Sequence, residues 1–295
     1  MDKRSESGMR LLAISDLHLE REPSRRAIEN LAPHPEDWLI LAGDIASNPD
    51  LFTWGLDRLN ERFAQILWVP GNHELWTLPE HSISLRGESR YRHFVELCRD
   101  RKVATPEDPY LRWPGQGPNC RLVPLFLLYD YSFGPDGLSP EEAVAWALEE
   151  DILCADERFL IPDPHSSREA WCFHRLSIAL ERISEIDPAE PIIFINHFPL
   201  RRDLVRIPRI PRFIIWCGTR NTEDWHRRFH THAVVSGHLH VRATDWKDGV
   251  RFEEVSLGYP RQWKTDRDLS SYLRQILPDP ESPPPGGDKA PVWRR

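Results

Sequence analysis

The sequence predicts an α/β fold built on a parallel or mixed sheet, and three observations carry that prediction. Short apolar runs alternate with helical stretches at regular spacing. Proline and glycine punctuate the runs where a strand has to stop. Successive runs also end in carboxylate, imidazole and amide side chains, and ligands of α/β sheets gather at the carboxyl ends of strands.

Taken in order, the first run covers 10–15, with Leu11, Leu12, Ala13 and Ile14 apolar, and ends at Asp16-Leu17-His18. Pro23 opens a helical stretch over 24–31, closed by Pro33 and Pro35. A second run, 38–42, ends at Gly43-Asp44, and Asp50 is placed to cap a helix reaching about 63. The third run, Ile66-Leu67-Trp68-Val69, meets Pro70-Gly71, a tight turn that presents Asn72, His73 and Glu74 in succession.

From 77 to 190 the pattern changes. Helices are expected near 88–102, from 140 to about 159 with Ser139 as N-cap, and over 167–186 with Ala170, Phe173, Ile178 and Ile183 as an apolar stripe. Between them lie a Pro/Gly-rich segment, 106–118, and a run, 121–128, that Pro124 assigns to an edge or a bulge. This region reads as a helical insertion that shapes one wall of a site, with Asp130-Tyr131 in a structural loop. Strand grammar returns at 191–195, ending in Asn196-His197, and at 233–236, ending in Gly237-His238-Leu239-His240. Residues 241–257 read as a hairpin turning at Asp248-Gly249. The Pro- and Gly-dense stretch 278–295 reads as a disordered tail, which leaves 9–277 as the domain.

Composition narrows the function. A chain of 295 residues with 40% hydrophobic and 28% charged residues has ample material for a globular core. A formal net charge of −8 argues against a generic polyanion binder, although bound metal ions reset the local charge at a site. Residues 1–8 are polar and do not form a signal peptide, and no apolar run is long enough to span a bilayer, so the expected location is cytoplasmic. Five scattered cysteines, without a CxxC pair, fit reduced buried thiols.

The polar strand ends collect into one set: Asp16, His18, Asp44, Asn72, His73, His197, His238 and His240. Carboxylate, imidazole and amide oxygen together suit Mn, Fe or Zn better than Ca or Mg. On extended chain the i, i+2 pairs Asp16/His18 and His238/His240 point to one side, so each pair is able to converge. The ordered motifs resemble those of the calcineurin-like metallophosphoesterases: Asp-x-His, Gly-Asp, Gly-Asn-His-Glu, a lone His, then Gly-His-x-His. The likeness spans 14–241, with no diagnostic motif in the insertion. It implies a four-layer α-β-β-α sandwich of two mixed sheets and two divalent metal ions. Asp16, His18 and His240 would then hold one metal and Asn72, His197 and His238 the other, with Asp44 bridging. His73 would be the catalytic proton donor, and Glu74 would orient it or cap the following helix.

Physical chemistry agrees with that implication. Two metals about 4 Å apart share a hydroxide nucleophile and clamp a phosphoryl group, so no serine or cysteine nucleophile is needed. Ser47 stands where the purple acid phosphatases carry a metal-binding tyrosine, and Pro70 precedes Gly-Asn-His where the Ser/Thr protein phosphatases have arginine. The first departs from the purple acid phosphatases and the second from the protein phosphatases, while Ile14-Ser-Asp-Leu-His-Leu19 with Val69-Pro-Gly-Asn-His resembles the phosphodiesterase-like branch more closely. The expected reaction is hydrolysis of phosphodiesters, with phosphomonoesters as possible further substrates, on small nucleotide-like molecules. Two alternatives stand beside it: a nuclease of the same fold and a metal-free interaction scaffold. Eight arginines between His197 and His238, Arg201, Arg202 and Arg220 foremost, are candidates to grip a second phosphate or a nucleic-acid backbone.

Overall fold

A computed structural model describes residues 8–79 and 85–294. Residues 80–84 of the expected insertion and the polar residues 1–7 lie outside that description.

The first half of the chain forms three parallel strands with helices between them. These are β1 (Leu11–Ile14), α1 (Glu22–Glu29), β2 (His34–Leu41), α2 (Pro49–Asn60) and β3 (Phe63–Trp68). The turn after β3 becomes α3 (Asn72–Leu75), followed by α4 (Gly87–Arg99), β4 (Arg121–Pro124), α5 (Pro140–Leu148), α6 (Asp156–Phe159) and α7 (Arg168–Ser184). Then come β5 (Ile192–Ile195), α8 (Trp225–Arg228), β6 (Thr231–Ser236), β7 (Ala243–Lys247), β8 (Val250–Glu254), β9 (Arg274–Leu277) and β10 (Lys289–Trp293). One sheet has the order β3-β2-β1-β9 and the other β10-β7-β8-β6-β5-β4. Both are mixed: β9 runs antiparallel to β1, and β7 runs antiparallel to β8 and β10.

Strand alternation explains the layers. On β1, Leu11 and Ala13 join Ile40, Leu67, Leu122, Ile193 and Val235 in a core between the sheets. Leu12 and Ile14 face the other way, toward Ile28 of α1 and Phe52 and Leu56 of α2. On the second sheet Val123, Phe194 and Val234 belong to the same outer core as Trp171 and Leu176 of α7. Two sheets packed face to face with helices outside give the four-layer sandwich. At one end the sheets are joined directly. Ser15 pairs with Ser256, Ser15 N–H donates to Val255 O at 3.2 Å, and Leu257 N–H donates to Ser15 O at 2.9 Å.

Several expected elements take a different form. Asn48, not Asp50, caps α2, accepting from Asp50 N at 2.8 Å and Leu51 N at 3.1 Å. The helix expected over 140–159 breaks into α5 and α6, with Asp151 at φ 55° between them. On α7 the buried face is Trp171, Cys172, Arg175, Leu176, Ala179 and Ile183, while Phe173 is 45% exposed. Hydropathy misread that face because buried Arg175 sits on it, paired with Glu107 at 2.6 Å and covered by Tyr91 and Phe126. The segment 278–295, expected to be disordered, contributes β10 on the edge of the second sheet. Arg294 anchors it, donating to Glu253 Oε2 at 2.7 Å and to Glu254 O at 2.5 Å. Composition hides such a strand because its ladder bonds and ion pairs, Arg294 with Glu253 and Lys289 with Glu281, do the holding.

Candidate metal centre

Each candidate ligand follows a strand, and most of them leave the extended backbone. Asp16, His18, Asp44, His238 and His240 all have positive φ, between 46° and 72°. The expectation that the i, i+2 pairs converge because strands alternate is therefore corrected: β1 stops at Ile14 and β6 at Ser236, and left-handed turns aim the side chains. Left-handed backbone costs a non-glycine residue about 1–2 kcal/mol, so neighbouring contacts must hold it. Asp16 N–H donates to Gly43 O at 2.9 Å, His18 N–H to Asp44 O at 3.1 Å, and Gly258 N–H to Asp16 O at 3.1 Å. Glycine is required where the turns meet. A Cβ at Gly71 would overlap the Asp44 carboxylate, and one at Gly237 would overlap the Ser15 hydroxyl.

Glu74 holds this frame rather than His73. Its carboxylate accepts from Gly71 N at 2.7 Å, Asp44 N at 3.0 Å, Ile45 N at 2.5 Å and Ala46 N at 3.3 Å. It thus caps α3, as expected, and also clamps the 44–46 turn. Burial pushes its pKa up to about 7 despite those four amides.

The side chains form two adjoining sets. In the first, Asp16 Oδ1 lies 3.0 Å from His240 Nε2, and His18 Nε2 lies 3.2 Å from the same nitrogen. The other Asp16 oxygen is occupied, accepting from Ser15 Oγ at 2.5 Å, Ser256 Oγ at 2.7 Å and His238 N at 3.0 Å. In the second set, His197 Nε2 lies 3.2 Å from Asn72 Oδ1, 3.3 Å from His238 Nδ1 and 3.5 Å from Asp44 Oδ2. Asp44 belongs to both sides, grouping with Asp16 and His197 and also with His18 and His73 within 4.8 Å.

The donor chemistry shows why these sets fit cations. Gln262 Oε1 accepts from Tyr259 N at 2.7 Å, which fixes the amide, and it faces His240 Nδ1 at 2.9 Å. His240 Nδ1–H therefore donates to Gln262, which leaves Nε2 as the atom that faces the Asp16 carboxylate. Likewise His197 Nδ1 faces Ala42 O at 2.9 Å, and Asn72 Nδ2 donates to Asp156 Oδ1 at 2.9 Å. The remaining His197 nitrogen and the Asn72 oxygen are both acceptors, 3.2 Å apart. Acceptors facing acceptors in a buried site repel unless a cation lies between them. Charge agrees: burial, then the Asp16 and Glu74 carboxylates, push the Asp44 pKa well above the usual range. Burial and the facing His240 push His18 down to about 3, leaving a neutral imidazole suited to coordination.

His73 lines the cavity above these sets. Its ring lies on Trp76 at 3.7 Å between centroids and meets His18 edge-on at 4.6 Å. Its Nε2 is 3.8 Å from Asp44 Oδ2, and burial, then His18, hold its pKa well below the usual value. The cavity measures about 310 Å³. Asp44, Asn72, His73, His238 and His240 line it, with Leu153, Ile207, Ile210, Phe213 and Leu239 on the apolar part and Tyr259, Arg261 and Gln262 on the polar part.

Sequence reasoning missed Asp156, Tyr259 and Gln262. Asp156 also accepts from Trp76 Nε1 at 2.6 Å and Tyr129 Oη at 3.0 Å, so one buried carboxylate fixes both Asn72 and the indole under His73. The Gly258-Tyr259-Pro260 turn was the only signal available for the other two. The foremost arginines do not line the cavity. Arg201 pairs with Asp203 at 2.9 Å, Arg202 donates to Phe133 O at 2.6 Å, and Arg220 donates to Ser132 O at 2.5 Å. Asp130 is structural, accepting from Ser132 and Thr219.

A family model described as calcineurin-like phosphoesterase matches residues 9–242. The chain belongs to the calcineurin-like phosphoesterase family. It is a metal-dependent phosphoric ester hydrolase, which sets aside the scaffold alternative. Over 276 residues it is 46% identical to acyl-carrier-protein phosphodiesterase PptH of Mycobacterium tuberculosis, covering 93% of this chain and 85% of that protein. The crystal structure of phosphopantetheinyl hydrolase PptH from the same organism matches at a TM-score of 0.88 and 45% identity. That alignment covers 95% of this phosphoesterase and all of the PptH chain. Among the described residues no helix is long and apolar enough to cross a membrane.

Proposed function

We propose that this phosphoesterase hydrolyses the phosphodiester joining a phosphopantetheine arm to a carrier protein, at a centre holding two divalent metals. Its 46% identity with PptH over 93% of the chain carries the reading of the substrate. The cavity supports it, since an apolar wall beside the phosphoryl-binding floor suits a diester with one long uncharged arm. Small nucleotide-like diesters, expected from the sequence, become the competing substrates. The nuclease reading loses its support, because the foremost arginines are engaged away from the cavity.

Asp16, His18 and His240 would hold one metal, Asn72, His197 and His238 the other, and Asp44 both. When bound, such a pair supplies Lewis-acid activation of water and of the phosphoryl oxygens. The rest falls to the chain. Asp156 and Ala42 O orient Asn72 and His197, and Gln262 orients His240. His73, neutral and fixed against Trp76, donates an N–H hydrogen bond to the departing oxygen. Five free buried cysteines agree with a reducing, cytoplasmic setting.

The test incubates Mn-, Fe- or Zn-loaded protein with a phosphopantetheinylated carrier and follows loss of the arm by mass spectrometry. Release of the arm and a content of two metals per chain are expected. A higher kcat/KM on cyclic nucleotides than on the carrier would overturn the substrate; one metal in the fully active protein would overturn the dinuclear centre.

A further inference from the structure

We propose that Arg21, Tyr259 and Arg261 form a cationic rim at the cavity mouth that docks the acidic surface of the protein carrying the diester; this rests on the substrate proposed above.

Position singles out the two arginines: among the described residues Arg158, Arg209 and Arg228 are exposed without an ion pair as well, but they line neither the cavity nor its mouth. Other exposed arginines are engaged by carboxylates, among them Arg26 by Glu22, Arg58 by Glu61, and Arg112 by Glu190. Arg21 and Arg261 are exposed too, yet among the described residues neither forms an ion pair. Their guanidinium groups lie 5.8 and 5.9 Å from the centroid of the Tyr259 ring. A cation–π contact holds a guanidinium in place without neutralising it, so both charges stay available to a partner.

The rim is also built into the metal centre. The Tyr259 ring stacks on His18 at 4.4 Å and 16° and meets His240 edge-on at 5.1 Å. Its backbone N–H donates to the same Gln262 oxygen that orients His240. A partner gripping the rim is therefore registered against the ligands.

Position and charge name the occupant. Arg21, Tyr259, Pro260 and Arg261 line an open depression of about 450 Å³, and Tyr259 and Arg261 line the catalytic cavity as well. Whatever threads an arm into the cavity leaves its bulk beside this depression. No buried donor lines it to enclose a single small anion, so its shape suits several carboxylates on a convex face. The enzyme carries 38 Lys and Arg against 46 Asp and Glu, a net −8, and would repel an acidic protein at most orientations. At physiological salt, charges farther than about 8 Å are screened, so a local cluster of free cations beside the mouth decides the approach.

The experiment compares wild type with the Arg21→Glu/Arg261→Glu double variant, both metal-loaded and matched for metal content. Each is assayed on phosphopantetheinylated carrier protein and on bis-p-nitrophenyl phosphate, at low and high salt. The expected loss on the carrier is about 30-fold, mostly in KM, and at least about tenfold greater than on the small diester. Wild-type activity on the carrier should fall with salt and the variant's should not, while Arg21→Lys/Arg261→Lys keeps most of it. Equal losses on both substrates, or none on the carrier, would overturn the rim. Wild type that cleaves the small diester but leaves the carrier intact would overturn the substrate proposal, and the rim with it. Should the double variant fail to fold, Arg21→Gln alone, at an exposed position, gives the same comparison at smaller amplitude.

Discussion

The two sides of the proposed metal centre are supported by different parts of the chain. Around Asp16, His18 and His240 the supports come from the strand ends and the turns that follow them: Ser15, Ser256 and Gln262. Around Asn72, His197 and His238 one support, Ala42 O, is also a strand end, but Asn72 is fixed by Asp156 at the start of α6. The first side is complete within the repeating strand-and-turn frame. The second side borrows a buried carboxylate from the insertion, which is therefore more than a wall.

Substitutions can sharpen or break this contrast. The largest effect is expected at the residue common to both sides. Asp44→Asn should lower kcat/KM by at least about a thousandfold, because several kcal/mol of transition-state stabilisation pass through that position. Metal analysis should show both affinities weakened. Next come the supports. Asp156→Ala should weaken one of the two metal affinities by roughly 10–100-fold, and Gln262→Ala should weaken the other by a similar factor. Stepwise metal titration reads both, and if each variant lowered both affinities alike, the two-sided account would be wrong.

A smaller effect is expected within the insertion, away from the metals. Burial opposes ionisation of Glu107, but Arg175, with Tyr91 and Arg92, overcomes it and holds the pKa down to about 2. A depressed carboxylate stabilises the fold above its unfolded value of about 4.5, and that contribution is lost as pH falls toward 2. Glu107→Gln should cost roughly 1–2 kcal/mol at neutral pH once solvent screening is allowed for, with the gap to wild type closing in acid. Urea unfolding at pH 7 and pH 3 measures it. Smallest of all, Phe173→Ser should change stability by less than about 0.5 kcal/mol, since that ring lies on the exposed face of α7. A larger loss in a thermal melt would put the face assignment of α7 in error.

Legibility in the sequence follows the same division. Strand ends were readable because a polar ligand after an apolar run breaks the pattern visibly, as at Ile14 to Asp16 or Val69 to Asn72. The parallel frame, the edge position of β4 and the β7–β8 hairpin followed from the same local grammar. What stayed hidden acts across distance. Asp156 reaches Asn72 over 84 positions, and nothing in its neighbourhood marks it. Gln262 looks like any loop amide until the turn brings it to His240. Arg175 misled the helix reading because a buried cation satisfied by Glu107 imitates a solvent-facing position. The left-handed backbone of the ligands was also unreadable, since the tertiary hydrogen bonds that impose it come from other motifs.

The direct joining of the two sheets at Ser15 and Ser256 has a consequence for when the enzyme becomes competent. Asp16 meets Ser256 across 240 positions, and His240 is oriented only once Gln262 is in place. Contacts of such separation form late, after each sheet has condensed around its own local pairs. A nascent chain still short of Ser256 carries Asp16 without one of its hydroxyl partners, and one short of Gln262 carries His240 without the amide that orients it. Competence therefore waits for Gln262, and shorter chains are poorly equipped to hold a metal at the Asp16 side or to cleave phosphoesters.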